Sequence, residues 1–133
     1  MNRVAVNSII CIKDRKIIKT DFEGKEIKLD DFYKHIDCNC VDVLSIKGFD
    51  FWFDDEGKLK DGWQDRISIA LIDGKTNEVL DVIVGNCVIC KAKGSRSVPL
   101  SQKDTDKLLD TLGKTHLFNS IGNVQEVFSI NVN

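Results

Sequence analysis

Apolar positions along this chain repeat with two periods, and the switches between them divide it into elements. Across residues 3–12, Val4, Val6, Ile10 and Ile12 share one parity, the period of two of a half-buried strand. Lys13-Asp14-Arg15-Lys16 supplies a turn, and Ile17, Ile18 and Phe22 read as the partner strand of a hairpin over 1–24. Leu29, Phe32, Tyr33 and Ile36 then fall at i, i+3, i+4 and i+7, one face of a helix. Asp30 and Asp31 in its first turn suit the positive end of its dipole, and it should end near Asp37. Strands follow over 41–46 and 49–53 around Lys47-Gly48, the second with Phe49, Phe51 and Phe53 in clean alternation. Asp54-Asp55-Glu56-Gly57 stops it with a turn. Residues 63–72 fit both periods: Ile67, Ile69 and Leu71 alternate, while Trp63, Ile67 and Ala70 share a helical face.

The run 79–89, rich in valine and isoleucine, reads as one central strand with a bulge at Gly85-Asn86. Residues 91–97 read as a polar loop. Ser101 and Asp104 form a capping box ahead of Leu108, Leu109 and Leu112, and Gly113 stops that helix. Val124, Val127, Phe128 and Ile130 make 117–132 a packed strand. The expectation is a single domain over 1–133 of the α+β class, with a mostly antiparallel sheet of five or six strands and two short helices. Phe51, Phe53, Val82, Val84, Ile89, Leu108 and Leu112 are its expected core.

Composition narrows the function classes. Hydrophobic residues are 42% and charged residues 30%, ordinary globular usage. A net charge of −2 argues against generic nucleic-acid binding, which asks for a basic balance. No apolar run approaches the ~20 residues that span a bilayer, so no membrane partner is expected. Five cysteines, an odd number, and a start without a long apolar stretch read as reduced thiols in a cytoplasm.

Several short signals, in order, carry a resemblance. A helix leads into Val41-Asp42-Val43; Asp55-Glu56-Gly57-Lys58-Leu59 follows as an "EEGKL"-like turn. Residues 81–89 are similar to a "D-x-I-V-G-x-x-x-V" strand, and Leu100-Ser101-Gln102-Lys103-Asp104 to an "L-T-D-E" helix start. Over about 29–112 the chain resembles the family called domain of unknown function 3846, with the hairpin and the tail outside. Cys38-Asn39 stands where that family has a glycine pair, and residues 65–70 match its "N-x-x-A" stretch only loosely. The resemblance implies a compact α+β fold and a phage or mobile-element setting, and it carries no catalytic assignment.

Candidate chemistry divides three ways. Cys38, Cys40, Cys87 and Cys90 could staple a zinc adaptor, but Cys87 and Cys90 have opposite parity on one strand and point apart, so no metal is expected. Cys38 or Cys40 with His35 could make a small hydrolase, although no spacing in the sequence joins a thiol to His35 or His116. Neither a Walker loop nor G-x-G-x-x-G occurs, and no cofactor is expected. The reading that fits best is a non-enzymatic binding module, possible in two forms. In one, Lys91, Lys93, Ser95, Arg96 and Ser97 hold the phosphate of a small phosphorylated ligand and Trp52 its base. In the other, Asp54, Asp55 and Glu56, in an acidic run with Asp50, Asp61 and Asp65 that lacks EF-hand spacing, meet a basic host protein. Either suits counter-defence, and a homo-oligomer stays open.

Overall fold

In the computed structural model, which describes residues 7–133, the strands fall into two stacked sheets. The first sheet takes β1 (Ser8–Lys13), β2 (Lys16–Asp21), β3 (Val41–Ile46), β4 (Phe49–Asp54), β7 (Cys87–Lys93) and β8 (Arg96–Val98). Its order is β2-β1-β7-β4-β3 with β8 on β7, and every pairing is antiparallel. The second sheet, β6-β5-β10-β9, holds β5 (Ile67–Ile72), β6 (Val79–Val84), β9 (Gly113–Phe118) and β10 (Val124–Asn131). The α+β class and the antiparallel five-to-six-stranded sheet are as the sequence predicts. The second sheet, with its parallel β5–β10 pair, is not. Val4 and Val6 of the predicted first strand lie outside the described residues.

Strand alternation builds the layers. Ile10, Ile12, Phe49, Phe51, Cys87 and Ile89 point from the first sheet into a core shared with Ile69, Leu71, Ile83 and Ile130 of the second. The opposite parity, Ile9, Cys11, Val88 and Cys90, meets Phe32 and Ile36 of α1 (Leu29–Ile36). Within that layer Phe32 stacks on Trp52, with ring centroids 4.1 Å apart. The predicted helix stripe narrows here, since Leu29 is exposed. α2 (Gln102–Thr111) buries Leu108 in the inter-sheet core, and Ser101 and Asp104 cap it reciprocally as the sequence predicts. Of the expected core, Phe51, Val84, Ile89 and Leu108 are buried, while Phe53, Val82 and Leu112 pack partly buried.

Four readings change. Residues 79–89 are not one strand: β6 ends at Val84 in one sheet and β7 begins at Cys87 in the other, so Gly85, at φ 84°, is a crossover and not a bulge. Residues 91–97 are not a loop but the end of β7, a two-residue turn at Gly94-Ser95 and the start of β8. Residues 63–72 use both periods in succession, a 3₁₀ turn over Trp63–Arg66 and then β5. Gly113 opens β9 rather than ending in a left-handed cap, and this places His116 on a strand.

Candidate functional site

A cleft lies where the chain crosses between the sheets. Its volume is about 510 Å³, a size that suits small-molecule ligands. Asp14 and Arg15 of the β1–β2 turn, Asp37 at the end of α1, and Asp54 and Lys60 form part of its wall. Asp65 and Arg66 of the 3₁₀ turn and Gly85-Asn86 of the crossover complete it, over a floor that includes Ile36, Ile67 and Ser68.

Local backbone brings these groups together. Asp14 and Arg15 stand at φ 49° and 63°, as the two-residue turn of a twisted hairpin requires and as Asn-Gly would adopt with less strain. Asp37 closes α1 in the left-handed region at φ 61°, and Gly85 at 84° donates its N–H to the Arg66 carbonyl at 2.8 Å. Four positive-φ residues thus meet at one cleft, the kind of place where backbone strain accompanies function. The Asn86 side-chain amide ties the crossover to the Ile36 carbonyl at 3.2 Å.

The charges divide into engaged and free. Lys60 pairs with Asp54 at 2.8 Å, and the same carboxylate accepts the Glu56 N–H at 2.9 Å. Both Asp65 carboxylate oxygens accept from Ser120, the N–H at 3.0 Å and the hydroxyl at 2.6 Å. Those bonds, the hydroxyl's first, hold its carboxyl below the usual carboxylate value. Arg15 donates to the Asp65 main-chain oxygen at 3.0 Å and to the Gln125 side-chain oxygen, both uncharged acceptors. Among the described residues Arg66 makes no side-chain hydrogen bond or ion pair. Arg15 and Arg66 both line the cleft, and among the described residues neither side chain is hydrogen-bonded to a carboxylate.

The residues that the sequence offers as an anion loop divide between the two faces of the β7–β8 hairpin: Lys91, Lys93 and its pair Arg96 share one, and Ser97 takes the other. Ser97 is buried: its hydroxyl accepts the Trp52 indole N–H at 2.9 Å and donates to Asp50 at 2.6 Å. Ser45 also donates to Asp50, so two hydroxyls satisfy a carboxylate buried away from the acidic run. Trp52 is half-buried, with one ring face on Phe32. Lys91 and Lys93 share a parity opposite to Ser97's partner Ala92, and Lys91 lies 3.5 Å from Asp104. Ser95, Arg96, Ser97 and Trp52 border a shallower groove of about 440 Å³ with Lys28 and Asp30 of the α1 entrance. Of the acidic turn, Asp54 is the Lys60 partner inside the cleft, while Asp55 and Glu56 are exposed beside it.

Four of the thiols, Cys11, Cys38, Cys87 and Cys90, are poorly placed for nucleophilic work, while Cys40 is exposed. Cys87 lies in the inter-sheet core and Cys90 in the α1 layer, on opposite faces of β7 as parity predicts. Burial pushes the Cys90 thiol up to about 12, and raises Cys87 and Cys11 as well. Cys38 is raised too, by burial first and then by Asp54, and donates to the Cys40 carbonyl at 3.4 Å. A thiol that resists ionisation is the reverse of an activated nucleophile. His35 is held below its ordinary value by burial, then by Lys13 and Lys34, and no hydrogen bond joins it to a cysteine among the described residues. His116 is exposed on β9, 3.6 Å from Glu126.

Sequence reasoning missed Arg15, Asp37, Arg66 and Asn86. One signal was available for Arg15: a two-residue hairpin turn that carries Asp-Arg where Asn-Gly is favoured. The others are neighbours only through the crossover, which periodicity does not reveal.

Fold and site together define a two-sheet α+β protein with a charged cleft at the sheet crossover. More particularly, the chain belongs to the family described as Domain of unknown function (DUF3846), whose sequence pattern matches residues 8–113. That span takes in the β1–β2 hairpin, which the resemblance over 29–112 leaves out, and ends as β9 begins. No curated protein and no solved structure matches the chain. No helix of the described residues is long and apolar enough to cross a membrane.

Proposed function

We propose that this protein is a non-enzymatic binding module that captures a small phosphorylated ligand in the crossover cleft. The observation that carries the reading is the pair Arg15 and Arg66, which line a cleft of about 510 Å³ with, among the described residues, no carboxylate hydrogen-bonded to either. A guanidinium presents paired donors that match phosphate oxygens, and Ile36 and Ile67 offer an apolar floor to a base or sugar. In the phage or mobile-element setting that the family resemblance implies, such a module would act in counter-defence by sequestering a nucleotide signal.

Calorimetry with a panel of inorganic pyrophosphate and mono-, di- and cyclic nucleotides tests this. At least one should bind below millimolar, and Arg66→Ala should weaken it about tenfold, since a charge-assisted hydrogen bond is worth roughly 1.5–3 kcal/mol. Arg96→Ala, in the shallower groove, should leave that affinity unchanged. Loss in Arg96→Ala alone would move the site to the groove, and a silent panel would remove the phosphorylated ligand altogether.

A second reading rests on Asp55 and Glu56, exposed carboxylates beside the cleft. They would steer a basic host protein onto this end of the molecule. In that case the nucleotide panel is silent, and charge reversal at Asp55 and Glu56 abolishes partner capture.

A further inference from the structure

The β9–β10 hairpin, beyond the segment that matches the family, touches the cleft wall at two points, Ser120 in its turn and Gln125 on β10. Ser120 gives both its N–H and its hydroxyl to the Asp65 carboxylate. Gln125 accepts from Arg15 and donates to the Gln64 carbonyl at 2.6 Å. Neither Ser120 nor Gln125 lines the cleft. The arrangement around Asp65 is selective: its main-chain oxygen takes the Arg15 guanidinium, while its carboxylate, the stronger acceptor, is taken by the turn.

We propose that Ser120 is a positioning residue that sets the charge of the cleft, holding the Asp65 carboxylate in the β9–β10 turn so that Arg15 and Arg66 stay available for phosphate groups. This rests on the reading of the cleft as a phosphate-binding site and adds the element that tunes it. Released from Ser120, the Asp65 carboxylate neutralises the neighbouring guanidiniums and competes with the ligand's oxygens. Because Asp65 is solvent-exposed, the competition is worth what an exposed ion pair is worth, and the main-chain N–H of residue 120 retains part of the hold.

The test is a double-mutant cycle on the full chain, with inorganic pyrophosphate as probe and calorimetric affinity as readout. Ser120→Ala should weaken pyrophosphate about threefold. Ser120→Thr, which keeps the hydroxyl, should bind as the unmodified protein does. In an Asp65→Asn background, where no carboxylate competes, Ser120→Ala should have no further effect. A merely structural Ser120 gives the same loss in both backgrounds, and that result overturns the proposal. It is also overturned, with the cleft reading intact, if Arg66→Ala loses pyrophosphate while Ser120→Ala does not. If the unmodified protein fails to bind pyrophosphate, the cleft reading and this proposal fall together.

Discussion

At the residue scale, burial rather than sequence spacing decides what each cysteine can do. Cys11, Cys87 and Cys90 share the parity code of their strands with isoleucine and valine, and each packs as a small apolar group. Their raised ionisation carries a pH signature of known sign. The neutral thiol is the form that the fold accepts, so the stabilisation is complete below the ordinary value of 9.0. For Cys90 it is lost as the pH climbs from there toward about 12. Cys40, by contrast, is exposed. Iodoacetamide at mildly alkaline pH should therefore modify Cys40 in the native protein, leaving Cys11, Cys87 and Cys90 to react only after unfolding. Peptide mass spectrometry reads the sites, and labelling of Cys87 or Cys90 at the Cys40 rate would show that the layers open far more often than their burial implies.

Elements built on local signals were legible in the sequence, and those set by distant pairing were not. α2 announced itself because its cap, first turn and apolar face all lie within about a dozen residues. The β3–β4 hairpin did so because its alternation and its Lys47-Gly48 turn are contiguous. The crossover at Gly85 was hidden, since a glycine inside a valine-rich run has the same local chemistry in a bulge as in a passage between sheets. The β9–β10 hairpin was half-legible: Val127 and Ile130 mark β10, but β9 alternates weakly and is mostly exposed. Two carboxylates hold this last element, Asp65 through Ser120 and Asp73 through Asn133. Both lie below the ordinary value of 3.8, Asp65 through the Ser120 bonds and Asp73 chiefly through the Lys75 N–H and then Asn133. A depressed carboxylate stabilises the fold above its ordinary value, and that contribution is lost as the pH falls through the folded one. Lowering the pH from about 5 to about 3 should thus loosen first the β9–β10 turn and β9, the exposed edge of the second sheet, while Ile130 keeps β10 in the shared core. Hydrogen exchange corrected for intrinsic rates checks this: amides of β9 and the β9–β10 turn should lose protection ahead of those in β1 and β7. Simultaneous loss would mean that these exposed ties add nothing local.

At the scale of the whole molecule, the two sheets are joined by one buried layer to which both contribute, with Phe51 and Ile89 from one side and Ile69, Ile83 and Ile130 from the other. That partition was unreadable beforehand, because an alternating strand shows that it has a buried face and not which sheet will cover it. The cleft shares this origin: its walls come from segments that meet only once the chain has passed from one sheet to the other, so its residues are scattered from Asp14 to Asn86. A shared core has a thermodynamic consequence. Neither sheet can expose its inner face without exposing the other's, so unfolding should be a single cooperative transition. The two tryptophans report on separate layers, Trp52 between the first sheet and α1, and Trp63 against the far face of the second sheet. Denaturant melts of Trp52→Phe and Trp63→Phe, each followed through the remaining indole, report the two layers one at a time. Phe51→Ala, made in each background, removes a fully buried ring from the shared layer and should cost roughly 3–5 kcal/mol. The decisive result is that both indoles register the same loss. A shift seen by Trp52 alone would mean that the second sheet stands without the first, and that the crossover at Gly85 links two independently stable units.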